Sequence, residues 1–264
     1  MIMDDKSTET TRQKLAEHYR HGGLPEVVKW GFGSIYQRTV GRIRDARAPK
    51  LEDVLAQGDI ADRFAYIYRT NYWGSPESRS GLGSDLRVAE VFIGELEAYL
   101  EKGRVNSLFD APCGDYNWMK SVRTPVGMKY LGGDLVPELI KSLNDRYGSA
   151  TTSFTVFNIV QDEFPRADVW LCRECLFHLS FADVRGALEN FVRSEIEWAL
   201  ITCNYDVEAN IDIESGAWRP LDLRMDPIGL PEPKQVLKEG YTHEHKRFVG
   251  LWSRDAIRSS LERA

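Results

Sequence analysis

The sequence predicts an α/β protein, a doubly wound and mostly parallel sheet with a helical extension at its N-terminus. Three observations predict it. From residue 105 onward, short apolar runs alternate with amphipathic stretches of helical spacing, the order that builds parallel strands joined by crossover helices. Before residue 69 the apolar residues recur at three- and four-residue spacing without a period-2 alternation, so helices are expected there. The first apolar run, "VNSLF", ends in Asp110 and a turn of small residues, Ala111, Pro112, Cys113 and Gly114, at the place where open α/β sheets receive ligands.

Residues 1–83 are expected to form the extension and a lid loop. "TRQKLAEHYRHGG" reads as a helix stopped at Gly22-Gly23, and "LPEVVKWGFGSIYQRTVGRIR" and "KLEDVLAQGDIADRFAYIYR" as further helical pieces. Residues 69–83, "RTNYWGSPESRSGLG", are rich in Gly, Pro and Ser and read as loop. Residues 84–264 are expected to form the main domain. Its first helix is "SDLRVAEVFIGELEAYLEKG", with Ser84 as N-cap, Val88, Val91, Phe92, Leu96 and Leu100 along one face, and Gly103 as the stop.

Strand and helix then alternate. "VNSLF" is a strand and "DYNWMKSV" opens a helix capped by Asp115. "KYLGGD" is a strand and "VPELIKSLNDRYG" a helix with Pro137 in its first turn. "TSFTVFNI" and "ADVWLCREC" are strands, "FADVRGALENFVRSE" a helix, and "WALITCN" a fifth strand. Residues 204–245 break the pattern as a long Pro-rich insertion, whose Trp218, Leu221, Leu223 and Ile228 argue for an ordered loop. "HKRFVGLW" and "SRDAIRSSLER" close the chain as strand and helix.

Composition narrows the function. Net charge is −6, from 34 basic and 40 acidic residues, with no Lys/Arg block, so no nucleic-acid partner is expected. No apolar run reaches 18 residues and the polar N-terminus lacks a signal-peptide core, so no membrane partner and a cytoplasmic location are expected. The four cysteines suit reduced thiols better than a disulfide framework. Cys172, Cys175 and His178 have metal-like spacing, but a structural zinc needs a fourth ligand and no second pair is present; no metal is expected.

The turn at 110–114 lacks the third glycine of the dinucleotide fingerprint, and Asp115 would repel a pyrophosphate. That points to an adenosine without phosphates. Asp134 ends the second strand 24 residues after Asp110, close to the roughly 20 expected of a ribose-binding acid; the competing reading is a helix cap. Asn158 and Ile159 end the third strand, where an amide can meet a purine edge and an isoleucine its face. His178, in "LCRECLFHLS", is the side chain suited to take a proton near neutral pH, with Glu174 the substitute; the competing reading is a stacked histidine. In the insertion, Asn204 ends a strand, Trp218 offers a ring face and Arg219 a fork for an anion.

Together these stretches resemble the class I S-adenosylmethionine-dependent methyltransferases over about residues 84–203. "NYWGSPESRSGLGS", "DAPCGDYNWM", "CRECLFHLS" and "IDIESGAWRPLDL" resemble a bacterial small-molecule subgroup of them. Pro112 and Asp115 stand where many members carry glycine, and one final strand stands where the class has an antiparallel pair.

The resemblance implies a Rossmann-like fold that uses S-adenosylmethionine and releases S-adenosylhomocysteine. It implies that Asp110, Ala111, Pro112, Cys113 and Gly114 flank the amino-acid part and ribose, that Asp134 and Leu135 hold the ribose, and that Asn158 and Ile159 meet the adenine. Trp73, Arg79, Gly81 and Ser84 would close over the methionine end, with Arg173 also on the cofactor. The acceptor is expected to be a small polar metabolite, most readily a sugar hydroxyl, held by Asn204, Trp218 and Arg219. An amine acceptor is the alternative, and a binding protein without catalysis is the rival from another class. A homodimer stays open.

Overall fold

A computed structural model describes residues 49–240 and 246–263. The helices expected over residues 1–48 lie outside the described residues. Pro49–Ala264 is one compact unit. Two helices open it, α1 (Leu51–Leu55) and α2 (Ile60–Thr70). Asp59 caps α2 by accepting the Asp62 N–H, and Asn71 ends it in the left-handed region at φ 51°, which Asn tolerates.

The helix α3 (Leu86–Gly103) buries Ala89, Phe92, Leu96 and Leu100. Its N-cap position is Asp85, not Ser84, because a short 3₁₀ turn at Leu82–Ser84 intervenes. Val91, expected on the apolar face, is exposed; it lies one position off the i, i+4 row that Phe92, Leu96 and Leu100 form.

Seven strands form one sheet: β1 (Ser107–Asp110), β2 (Lys129–Asp134), β3 (Thr152–Val156), β4 (Val169–Cys172), β5 (Trp198–Asn204), β6 (Gln235–Lys238) and β7 (Arg247–Ser253). Their order is β3-β2-β1-β4-β5-β7-β6. The first five are parallel, and β7 runs antiparallel to both β5 and β6. The helices α4 (Pro137–Tyr147), α5 (Phe181–Arg193) and α6 (Arg254–Leu261) complete the unit.

Central strands are buried on both faces, as parallel sheets require: all of β4, and all of β5 after Trp198, are buried. Side chains alternate across the sheet, so Phe109 joins the core formed with α5 and α6 while Leu108 joins the core formed with α3 and α4.

Two further expectations are corrected. No α-helix follows β1; the chain makes only a 3₁₀ turn at Met119–Ser121, and the Asp115 carboxylate, besides taking the Asn117 N–H, bonds Ser78 and Arg79 of another loop. The final strand also has an antiparallel partner. β6 pairs with β7 from Gln235↔Leu251 to Lys238↔Phe248, inside the stretch read as loop. The strand order reverses around β1, which lies between β2 and β4, so a crevice opens at the C-terminal ends of β1 and β4.

Candidate active site

That crevice is lined by Asp110, Pro112, Cys113 and Gly114 from the turn after β1, by Asp134 and Val136 after β2, and by Arg173, Glu174, Cys175 and His178 after β4. Phe64, Ile67 and Tyr68 of α2, with Trp73, Arg79, Ser80 and Ser84 of the following loop, form the opposite wall.

Asp110 is 1% exposed, and Oδ2 accepts the Tyr130 hydroxyl at 2.7 Å. Burial pushes its pKa up to about 7 against the lowering effect of that bond. Asp134 takes the Gly114 N–H on Oδ2 at 3.1 Å and the Val136 N–H on Oδ1 at 3.2 Å. Burial still raises it to about 6, so it is mostly ionised at neutral pH with lone pairs left for a ligand. Gly114 sits at φ +53°, and a Cβ there would collide with the Ser80 hydroxyl, so only glycine fits.

The loop before α3 is bolted to this turn. Asp115 accepts the Ser78 hydroxyl and the Arg79 N–H, both at 2.9 Å, and donates its own N–H to the Ser80 hydroxyl at 2.8 Å. Asn117 bonds Glu77 at 2.7 Å and the Ser84 carbonyl at 3.0 Å. Trp73 faces the crevice, backed by Gly81, where any side chain would press on the indole. Arg79 lines the wall, but its Nη1 donates to the Tyr68 and Arg69 carbonyls at 3.0 Å each. It thus satisfies the C-terminal carbonyls of α2.

After β4, Arg173 gives Nε and Nη2 to Glu239 and also bonds the Gly83 carbonyl at 2.9 Å. Its guanidinium lies 4.8 Å from the Trp118 ring centroid. Glu174 stands in the left-handed region at φ 56°, a conformation that surrounding contacts must enforce. Its N–H is held by the Thr202 hydroxyl at 3.0 Å and its carboxylate pairs with Arg247. Oε1 is buried without a hydrogen-bond partner. Burial raises the Glu174 pKa, opposed by Arg247 and Arg173.

His178 ends a 3₁₀ turn, Leu176–His178. Its ring stacks on Trp73 with centroids 4.3 Å apart, and Nδ1 is 2.9 Å from the Ala217 carbonyl. Burial pushes its pKa down to about 4, so the ring is neutral.

Leu135, Asn158 and Ile159 line an adjoining hollow that shares Phe64, Pro112, Asp134 and Cys175 with the crevice. Ala111 is fully buried behind it, its carbonyl accepting the Trp170 indole N–H at 2.9 Å.

The three residues expected to hold the acceptor are not on the crevice wall. Asn204 is 1% exposed and spends its amide oxygen on the Leu221 N–H at 3.0 Å. Trp218 is 42% exposed and stands 6.3 Å from the Phe177 ring. Arg219 is 5% exposed, stacked 5.1 Å from Phe181. Residues 215–219 of the insertion are hydrogen-bonded to the 177–180 turn.

Sequence reasoning missed Phe64, Ile67, Tyr68, Trp118, Glu239 and Arg247. The first three share the inner face of α2, a signal readable from its helical spacing. Arg247 had none: it reaches the site because β7 pairs with β5 in the register Asn204↔Arg247. All four cysteines are free and buried. Among the described residues no group of three or more His, Cys, Asp or Glu could hold a metal, and no helix is long and apolar enough to cross a membrane.

No protein-family model matches the chain, and no curated protein matches it. Solved structures do. Human N-acetylserotonin methyltransferase in complex with SAM aligns with TM-score 0.51 at 13% identity, over 91% of this chain and 69% of that one. Magnesium protoporphyrin IX methyltransferase from Synechocystis PCC 6803 with bound SAM aligns with TM-score 0.52 at 12% identity, over 74% of this chain and 98% of that one. The chain has the fold of the class I S-adenosylmethionine-dependent methyltransferases.

Proposed function

We propose that this protein is a methyltransferase that moves a methyl group from S-adenosylmethionine to a small polar acceptor, with a hydroxyl as the receiving group. The carrying observation is Asp134: a buried carboxylate at the end of β2, fixed by two backbone amides, facing the crevice at the point of strand-order reversal. An ionised carboxylate there accepts hydrogen bonds from ribose hydroxyls. The surroundings fit the rest of the cofactor. The glycine turn lets backbone come close, the hollow of Leu135, Phe157 and Ile159 suits a flat purine, and the ionised Asp134 suits a cation.

When bound, S-adenosylmethionine supplies an electrophilic methyl group on a positive sulfur. The residues of the chain then position and deprotonate. Nε2 of His178 would take the proton that the acceptor oxygen gives up as it gains the methyl group, the electrons of the donor's carbon–sulfur bond staying with sulfur. A base of low pKa suffices, because an oxygen gaining a methyl group becomes strongly acidic as the bond forms. Nε2 of His178 and Oε1 of Glu174 are both acceptors, which favours a ligand that donates.

Calorimetric titration with S-adenosylhomocysteine tests the cofactor assignment: Asp134→Ala should weaken binding at least about tenfold, from the loss of charge-assisted hydrogen bonds worth about 1.5–3 kcal/mol each. A panel of nucleotide sugars, free sugars and amines, read by S-adenosylhomocysteine release, tests the acceptor. Methylation confined to amines would overturn the hydroxyl assignment, and unchanged affinity in Asp134→Ala would overturn the ribose assignment.

A further inference from the structure

The insertion expected to cover an acceptor also contacts the turn that carries His178. Its segment 215–219 is bonded to that turn, and the bonding is reciprocal. The Gly216 N–H donates to the His178 carbonyl at 2.9 Å, while the Ala217 carbonyl faces His178 Nδ1 at 2.9 Å. The Arg219 N–H donates to the Phe177 carbonyl at 3.1 Å. Ser215 takes the Ser180 N–H on its hydroxyl at 2.9 Å and bonds Asp183, the residue whose N–H the Ser180 cap receives. From the other side, Arg63 of α2 donates to the Ser215 carbonyl at 2.9 Å.

A carbonyl oxygen only accepts, so the hydrogen of the neutral ring must sit on Nδ1. That leaves the lone pair on Nε2, which has no hydrogen-bond partner among the described residues, on a ring that lines the crevice. The stacking of Trp73 on the ring, with the Phe177 ring 4.7 Å away, restrains its tilt. It does not choose between the nitrogens. The Ala217 carbonyl does.

We propose that segment 215–219 is the orienting partner of His178, that its Ala217 carbonyl fixes the Nδ1–H tautomer and so directs a basic Nε2 into the crevice, and that Gly216 and Ser215 are positioning residues for this bond. The proposal rests on the reading of His178 as the proton acceptor and supplies the group that prepares it, as a third residue orients the base in other nucleophile–base systems. Gly216 is required by two facts. It stands at φ +105°, and a Cβ would come within 3.0 Å of Val54. A larger residue there must move the backbone and carry the Ala217 carbonyl off Nδ1.

The test uses the full chain with ¹⁵N-labelled histidine, the His178 signals being identified by their loss in His178→Gln. In the unaltered protein at neutral pH, His178 should show a protonated Nδ1 and a bare Nε2. In Gly216→Ala the two tautomers should mix, or the ring should invert to Nε2–H. Ser215→Ala, which removes a hydroxyl and leaves the backbone conformation allowed, should give a smaller change in the same direction and serves if Gly216→Ala does not fold. Titration of the same samples with S-adenosylhomocysteine should give affinities within about threefold of the unaltered protein, since neither residue lines the cofactor crevice. An Nε2–H tautomer in the unaltered protein overturns the proposal, and so does an unchanged tautomer in folded Gly216→Ala, or in Ser215→Ala should Gly216→Ala not fold. Failure of all samples to bind S-adenosylhomocysteine would instead overturn the cofactor reading and leave the tautomer result standing on its own.

Discussion

Asp115 and Ser78, 37 positions apart in the chain, are joined by a hydroxyl-to-carboxylate bond of 2.9 Å, and the same carboxylate takes the Arg79 N–H. This acid therefore ties the wall of the crevice to the turn after β1. Asp115→Ala should leave the Arg79 N–H and the Ser78 hydroxyl without their acceptor. We expect a loss of about 1–3 kcal/mol in stability, faster amide hydrogen exchange confined to residues 75–84, and a several-fold weaker affinity for S-adenosylhomocysteine. Exchange in that loop equal to the unaltered protein would show that Asp115 is not the bolt.

The buried pair of Arg173 and Glu239 gives a second expectation. Removing one partner strands the other charge in a dry site. Glu239→Ala should cost about 3–5 kcal/mol, measured by urea unfolding, and Arg173→Met in that background should recover part of the loss. A cost below about 1 kcal/mol would mean that the guanidinium finds another partner.

Asp110 offers a test by pH. Its folded pKa is raised from 3.8 to about 7 by burial, so the folded state binds the proton more tightly than the unfolded chain does. The stability this contributes is complete below pH 3.8 and is lost as pH rises through about 7. Asp110→Asn, uncharged at every pH, should therefore raise the melting temperature at pH 8 and make little difference at pH 4. A gain of equal size at both values would trace the effect to packing. The same variant should bind S-adenosylhomocysteine less well, the usual exchange of stability against function at a charged site.

His178 should leave its mark on the rate profile. Since burial lowers its pKa to about 4, the basic form persists well below the ordinary histidine range. With a working acceptor, kcat should stay level from pH 8 down to about 5 and fall only near 4. His178→Ala should retain cofactor binding and lose a factor of about 10² in kcat. An acid limb near 6.5 would place the titrating group elsewhere.

The parallel half of the sheet was legible because local signals carry it: a buried strand needs an apolar run, and an acid at its end stands out. Asp110 and Asp134 are found in that way and His178 by its ordinary titration range, and each lies on the crevice. β6 was hidden because only Leu237 of its four residues is buried, so an edge strand in a Pro-rich stretch leaves no apolar run. Asp115 bonds Ser78 and Arg79, which no local pattern links to it. Arg247 and Glu239 depend on pairing and packing across the sheet. Trp218 and Arg219 were read by side-chain type alone, and type does not say which way a loop turns.

Phe64, Ile67, Tyr68 and Trp73 all precede the first strand, yet they form one wall of the crevice. The portable sheet and the working cavity are therefore different lengths of chain. A protein shortened to begin at Ser84 would keep every strand and lose the surface against which a ligand is held. Exchanging residues 60–84 for another sequence should therefore alter ligand selectivity while leaving the sheet intact.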